Sequence, residues 1–508
     1  MLKISGHKVA TIDRNSDLYK KIAAVNPRLA AKDSNIWGVA AQPEASVRLN
    51  WIDAPESSRE LLPQLDALSA KFRNHTRVVL CGMGGSSLAP EVIAATFRKE
   101  LFVLDSTDPV YVHHALAGDL TKTVVVVGSK SGSTIETASQ RALFTEAFRA
   151  LNLNPVDHMV IVTDPASPLD KSARADGYTV INADPNVGGR FSALTAFGLV
   201  PAALIGVDPS VLLDAAADAK SQIIESAIAI DIAYLLSAAG QYLTFCDSDA
   251  APGLSDWIEQ LVAESTGKNE VGRLPVVIES PSAVSAGEVF SVAFNGEADL
   301  VIAGDLGEQF FLWEWVTALV GAALEIDPFN QPNVTEAKEA TSALLAEWNG
   351  VLPDFTADAI DGAVEIFGAG ANLTEALRNF IQSIPAAGYV AVMAYLDRSG
   401  DSELAKLREI IARKSQRPVT FGWGPRFLHS TGQFHKGGQQ NGAFLQITGI
   451  TNGDVVIPGQ TYGFKTLIMA QALGDLRALA KRKYPLLRLH LSDRSAGISQ
   501  LLKAAEAL

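Results

Sequence analysis

Histidine is scarce in this chain. There are eight in 508 residues, and none falls between His158 and His429. Imidazole chemistry must therefore come from the two ends of the sequence, not its middle. Cysteine is scarcer still. Cys81 and Cys246 lie far apart in apolar, strand-like runs, which excludes a disulfide framework and fits buried reduced thiols in a cytoplasmic protein. Basic residues do not predominate: 42 Lys and Arg face 56 Asp and Glu, a net charge of −14. That argues against nucleic acid or an anionic membrane as partner, while one phosphate could still be held locally. Long apolar runs are missing too, because charges such as Asp231 interrupt them well before the ~18 residues a span needs, so no membrane helix is expected. The opening MLKISGHKVA has no signal-peptide pattern. No low-complexity linker or short-period repeat is found.

What remains has the composition of a large globular protein, 48% hydrophobic and 19% charged. Residues 1–75 read as a helical N-terminal arm, broken near DSNIWG and DAPES. From residue 76 short apolar runs alternate with amphipathic segments: RVVLCG (77–82), LFVLD (101–105), TVVVVG (123–128), MVIVTD (159–164) and YTVIN (178–182). Such alternation predicts βαβ units and a parallel sheet covered on both faces. A first domain is placed at 76–206. A second alternating region follows helices at 207–240, with YLTFC (242–246), LPVVIE (274–279), ADLVIAG (298–304), YVAVMAYL (389–396), PVTFGW (418–423), GAFLQIT (442–448) and LLRLHL (486–491). The predicted architecture is α/β: two tandem doubly wound parallel-sheet domains, the second spanning 207–508.

Two predicted strand-to-helix turns are rich in small hydroxyl and glycine residues, CGMGGSSLAPE (81–91) and GSKSGSTIET (128–137). Ligands of open parallel sheets bind beyond the carboxyl ends of the strands, and a helix N-terminus there attracts phosphate. Ser129, Ser131, Ser133 and Thr134 add hydroxyls, and Lys130 adds charge. Neither loop has P-loop spacing. Two alternatives stay open. Both loops could be plain N-caps, or Gly82-x-Gly84-x-x-Ser87 with Asp105 could mimic a dinucleotide fingerprint, although Ser87 replaces its third glycine. In NVGGRFSALTAFG (186–198) two glycines before Arg190 allow close backbone approach to a ligand, with a surface ion pair as the plainer reading.

Candidate proton carriers lie further on. In DWIEQLVAESTGK (256–268) Gln260 and Glu264 share a helix face. PFNQPNVTEAK (328–338) opens a helix that carries Lys338. Each, taken alone, is more simply a solvated surface residue. The run FLHSTGQFHKGG (427–438) holds two of the eight histidines. His429 and His435 are spaced unlike zinc ligands, with no Cys or carboxylate beside them in sequence. His435 is read as a satisfied structural histidine, and His429 as the one available for chemistry.

Taken in order, GMGGSSL, GSKSGSTIET, GGRFS, Q-x-x-x-ESTGK and FNQ…K resemble the phosphoglucose isomerase family of the sugar isomerase (SIS) superfamily, over about residues 40–340. The pattern departs from the family at Val334-Thr335, where Gly-Val-Glu is usual, and in having no histidine between the Glu264 and Lys338 motifs. LHSTGQ (428–433) is similar to a segment that relatives carry after the glutamate motif. Here it stands beyond Lys338, as if transposed within the second domain. The arrangement also resembles the isomerase half of actinobacterial transaldolase/phosphoglucose isomerase fusions.

The resemblance implies reversible isomerisation of glucose 6-phosphate and fructose 6-phosphate through ring opening and a cis-enediol, in a cytoplasmic homodimer with no cofactor and no metal. It implies Ser86, Ser129, Lys130, Ser131 and Thr134 as the phosphate cradle. His429 and Lys338 would open the ring, Glu264 would carry the proton between C2 and C1, and Arg190 would stabilise the enediolate. Gln260, Glu136 and Gly85 would orient hydroxyls. A dual glucose/mannose phosphate isomerase and a non-catalytic sugar-phosphate sensor are the alternatives. If the transposition is real, the 424–438 turn must fold back beside Glu264 and Lys338, within the chain or across a dimer interface.

Overall fold

Three sheets, each built around parallel strands, organise residues 1–508, all of which the computed structural model describes. The first sheet runs Phe102–Leu104, Arg77–Gly82, Thr123–Gly128, Met159–Thr163, Thr179–Asn182, parallel throughout. Its central strands are buried on both faces. Along Thr123–Gly128, Val124 and Val126 join one core while Val125 and Val127 join another, which is why a continuous valine run replaces simple alternation. The chain leaves Arg77–Gly82 toward one edge and then returns to build on the other side. The loops after Arg77–Gly82 and Thr123–Gly128 therefore flank the point where the winding reverses, the place where such sheets open a crevice for ligand.

The second sheet orders Lys3–Ser5, Leu300–Ala303, Val289–Ala293, Tyr242–Cys246 and Leu274–Ile278, with only Lys3–Ser5 antiparallel. The third orders Ala359–Asp361, Val364–Phe367, Leu486–Leu491, Gly442–Gly449, Tyr389–Tyr395 and Val419–Trp423, antiparallel only at its hairpin edge. The mixed α/β class with mainly parallel sheets matches the expectation. The strands expected for residues 207–508, however, divide between two sheets. Strands buried on both faces show no polar side, so their periodicity does not say which strands pair. The helical arm also begins with a strand, Lys3–Ser5, too short to show a pattern. Val289–Ala293, Ala359–Asp361 and Val364–Phe367 were likewise not among the expected strands.

Helix Leu306–Ala323 runs through the interior, buried along almost its whole length and started by a reciprocal Asp305–Glu308 capping box. The N-terminal arm wraps onto it. Trp37 Nε1 donates to the Ala318 carbonyl at 3.0 Å, and the fully buried Trp51 packs against Phe191, Phe311 and Trp315. Phe191 belongs to the GGRFS turn and also meets Phe329 of the FNQ segment at 5.4 Å. The arm is thus part of the core beneath two of the quoted motifs. No single helix is long and apolar enough to cross a membrane. Trp51→Ala should cost about 3–5 kcal/mol of stability, read as a lower urea midpoint, because the aromatic cluster cannot close over the space left. A loss below about 1 kcal/mol would mean that the arm packs independently of Trp51.

Candidate active site

Glycine at two places lets four segments meet. A Cβ on Gly85 would lie 1.9 Å from the Gly189 carbonyl oxygen, so the GMGGSS and GGRFS turns touch through bare backbone. Gly84 has a φ of +55°, and a Cβ there would lie 2.7 Å from Gln260 Nε2 and 2.8 Å from the His429 carbonyl. Ser87, at the place of the fingerprint's third glycine, is fully buried, and its Oγ donates to the Gly84 carbonyl at 3.1 Å.

Beside this junction opens a cavity of about 430 Å³. Its walls carry Gly85, Ser86, Ser129, Lys130, Ser131, Thr134, Arg190, Gln260, Glu264, Lys338 and His429, the candidate residues apart from Glu136. Glu136 lines an adjoining cavity of about 190 Å³ together with Ser131, Thr134, Lys338 and His429. Another cavity, of about 500 Å³, lies along helix Ile135–Ala150 at Arg141 and Arg149. It contains only Ser129 of the candidates, so size alone does not mark the chemistry.

Arg190 is almost fully buried, and every nitrogen of its guanidinium is held. Nε donates to Ser265 Oγ at 2.8 Å, Nη1 to Gln331 Oε1 at 3.0 Å, and Nη2 to the carbonyls of Pro328 and Asn330 at 2.6 and 3.0 Å. Nη1 also lies 3.2 Å from Glu264 Oε1. Burial pulls its pKa down and Glu264 opposes the shift, but an arginine starts so high that it stays charged. Glu264 sits on helix Leu254–Thr266, which follows the Tyr242–Cys246 strand. Its Oε2 accepts from Gln260 Nε2 at 3.2 Å. Gln260 Nε2 also donates to the His429 carbonyl at 2.7 Å, while Gln260 Oε1 makes no hydrogen bond within the protein.

His429 reaches this place within the same chain, on a turn between Val419–Trp423 and Gly442–Gly449. The turn is tied down at several points. Arg426 pairs with Glu91 and, at 3.0 Å, with Asp105. Gln433 Nε2 donates to the Gly267 carbonyl at 2.9 Å, and Asn333 N donates to Gln433 Oε1 at 2.9 Å. Lys436 and Asp475 form a buried pair at 2.6 Å. His429 Nε2 lies 2.9 Å from Glu136 Oε1, which also accepts from Gln471 Nε2 at 2.7 Å. Burial alone would raise the Glu136 pKa, but the His429 charge and hydrogen bond outweigh it and hold the carboxyl below its usual range. Glu136, expected to orient a hydroxyl, is thus occupied with the imidazole.

The second turn is less tied. Thr134 makes no side-chain cap for helix Ile135–Ala150, leaving first-turn amides for a ligand. Ser129 Oγ accepts from Gly132 N at 3.1 Å. Lys130 pairs with Asp164 at 2.7 Å. Four polar cavity residues had not been singled out: Glu44, Arg48, Asp164 and Gln331. Gln331 lay inside the FNQ…K motif and could have been read from it. Arg48 lies within the arm and carries no motif signal. No group of three His, Cys, Asp or Glu side chains stands close enough to hold a metal.

Comparison with known proteins adds independent weight. The family model described as Phosphoglucose isomerase matches residues 64–270, which contain the first four motifs. Over that stretch, less than half of the chain, the sequence is similar to phosphoglucose isomerases. A probable glucose-6-phosphate isomerase of Haloarcula marismortui is 26% identical over 414 residues, 67% of this chain and 91% of that one. A glucose-6-phosphate isomerase of Thermus thermophilus is 33% identical over 242 residues, 45% of this chain, and the match spans only 58% of that relative. Among solved structures, a hypothetical protein from Thermus thermophilus superposes with a TM-score of 0.59 at 24% identity, covering 68% of this chain and all of that one. A glucose-6-phosphate isomerase from Chlamydia trachomatis gives 0.53 at 18%, covering 69% and 89%. These two likenesses show the fold.

The two histidines of the 427–438 run differ sharply. His435 is buried, its Nδ1 lies 2.9 Å from the Tyr389 hydroxyl, and its ring stacks on Tyr389. Burial, then the Lys436 charge, pushes its pKa down to about 3. In the unfolded chain the ring protonates near its ordinary value of about 6.5. Between those values the unfolded state binds the extra proton, so stability is lost as pH falls from about 6.5 toward 3. His435→Gln removes that uptake, and its melting temperature should fall less steeply than the parent's across that window in calorimetry. Parallel curves would show that His435 is not held neutral.

Proposed function

We propose that the protein interconverts glucose 6-phosphate and fructose 6-phosphate, with no metal or nucleotide in the reaction. The observation that carries this reading is the return of His429 to the wall that also holds Glu264, Arg190 and Lys338. A phosphate-binding module needs the hydroxyl-rich turns but not a set of acid–base groups on the same wall.

In this reading the phosphate group lies on Ser86, Ser129, Lys130, Ser131, Thr134 and the first-turn amides of helix Ile135–Ala150. His429 and Lys338 exchange protons with the ring oxygen and the anomeric hydroxyl to open the ring. Glu136 fixes the imidazole through Nε2. Glu264 takes the proton from C2 and returns it to C1, while O1 gains a proton and the C2 hydroxyl loses one, so the cis-enediol forms and collapses without net change of atoms. Arg190, held by five contacts, places a fixed positive charge where the enediolate develops, a stabilisation that needs no reorganisation during the reaction. The unpaired Oε1 of Gln260 accepts from a substrate hydroxyl, and Gly85 lets the sugar approach the backbone. The same reading takes the protein as a cytoplasmic homodimer. Two buried free cysteines support the compartment, and the family resemblance supports the dimer.

Glu264→Gln keeps the volume and the Gln260 contact but removes the basic oxygen. It should lower kcat by at least about 10²–10⁴-fold and abolish exchange of the C2 hydrogen with solvent, while the variant still binds sugar phosphate. Exchange at the parental rate would remove Glu264 from the proton transfer. His429→Ala should slow turnover of cyclic glucose 6-phosphate much more than turnover of the open-chain fraction, resolved by stopped-flow with rapidly mixed anomers. Equal slowing of both forms would place His429 outside ring opening.

A further inference from the structure

One wall of the cavity comes from the N-terminal arm, through Glu44 and Arg48, which none of the quoted motifs contains. The arm is fixed here. Leu49 forms an antiparallel bridge with Val187, Asn50 Nδ2 donates to Asp184 Oδ2 at 2.8 Å, and Leu49 and Trp51 are buried. The Arg48 side chain is therefore delivered against the 184–187 loop that leads into GGRFS. Its Nε donates to Glu44 Oε1 at 2.7 Å and its Nη1 to the Pro185 carbonyl at 2.9 Å. Nη2 donates to no protein group. Lys130, from the second hydroxyl-rich turn, donates to that same Pro185 carbonyl at 3.1 Å.

Two cations drawn onto one carbonyl oxygen repel each other. Like charges are gathered at that cost where an anion is to be received. The Lys130 ammonium is pushed down chiefly by burial, opposed by Asp164, with Arg48 adding to the depression. Asp164 and Glu44 each neutralise one of the two cations, leaving the pair poised but not saturated. We propose that Arg48 is a ligand for the phosphate monoester of the substrate, reaching it from the arm beside Lys130. This rests on the sugar-phosphate reading above. It makes the N-terminal arm part of the binding site and assigns substrate affinity to a residue outside the hydroxyl-rich turns. The plainer account is that Arg48 is a strut between Glu44 and Pro185.

The experiment separates the two with inorganic phosphate as the probe, its dissociation constant measured by calorimetry so that no isomerase activity is required. Arg48→Met should weaken phosphate about tenfold, equivalent to about 1.4 kcal/mol, and raise KM for glucose 6-phosphate in parallel while kcat changes far less. Arg48→Lys keeps the charge and should recover part of the loss. Glu44→Gln frees Arg48 from its carboxylate, so phosphate should bind at least as tightly as to the parent. A thermal melt of each variant shows that it is folded. Parental phosphate affinity in Arg48→Met overturns the proposal. So does Glu44→Gln weakening phosphate as much as Arg48→Met, the result a strut gives. If Arg48→Met binds as the parent does while Ser129→Ala combined with Thr134→Ala loses phosphate, the cradle stands and the arm's part in it falls. A parent that does not bind phosphate overturns both.

Discussion

The site hangs on the contact between Gly85 and Gly189. Two strand-to-helix turns of the first sheet, about a hundred residues apart in sequence, touch with no side chain between them, since even a methyl group at Gly85 would occupy the space of the Gly189 carbonyl. Arg190 is the next residue and inherits its place from that contact. From Arg190 the order spreads outward, through Pro328, Asn330 and Gln331 to the segment that starts the Lys338 helix, and through Ser265 and Glu264 to helix Leu254–Thr266. Gly84, one residue back, does the same for Gln260 and the His429 turn. Widening this one approach would shift acid, base and fixed charge together.

The charges in the interior are there for placement more than for stability. Arg190 with Glu264, Glu136 with His429, and Lys436 with Asp475 are all largely removed from water. Such pairs recover their desolvation cost only when the geometry is good and the remaining donors and acceptors are satisfied. Arg190 meets that condition completely. Lys268 lies nearby on the Asp327 carbonyl, and its ammonium is held far below its ordinary range by burial and then by Arg190. The hydrophobic framework carries the load instead. Trp37 and Trp51 of the arm, Phe191 and Phe329 join in one aromatic cluster under the GGRFS and FNQ turns.

Much of this was legible in the sequence. Valine runs ending in small hydroxyl residues marked the first sheet and both of its turns, because composition and period agree there. Glu264, Arg190 and Lys338 were marked by motif, and the isolation of His429 in a histidine-poor chain marked it even out of the usual order. Other features left no trace. The division of residues 207–508 into two sheets depends on pairing between strands that are apolar on both faces. The short strand Lys3–Ser5 exists only because the edge Leu300–Ala303 is there to receive it. Arg48 sits in no pattern, since its meaning comes from the Leu49–Val187 bridge, a contact between residues far apart in the chain. The contact of Glu136 with His429 likewise left no trace, since the two residues lie 293 positions apart in the chain.

That separation has a consequence for the order in which the protein is made. Domains tend to fold from the N-terminal side as the chain emerges from the ribosome. The first sheet, with its two turns, closes while the third sheet is still unsynthesised. Glu136 is at that stage a carboxylate destined for a buried site, with neither the imidazole nor the Gln471 amide that later share its Oε1. A lone buried carboxylate is costly, so the start of helix Ile135–Ala150 must stay wet or take up a proton until residues 429 and 471 arrive. The nascent chain thus acquires its hydroxyl-rich turns early and its acid–base set last, and the docking of the 427–438 turn marks the moment when the fold is finished.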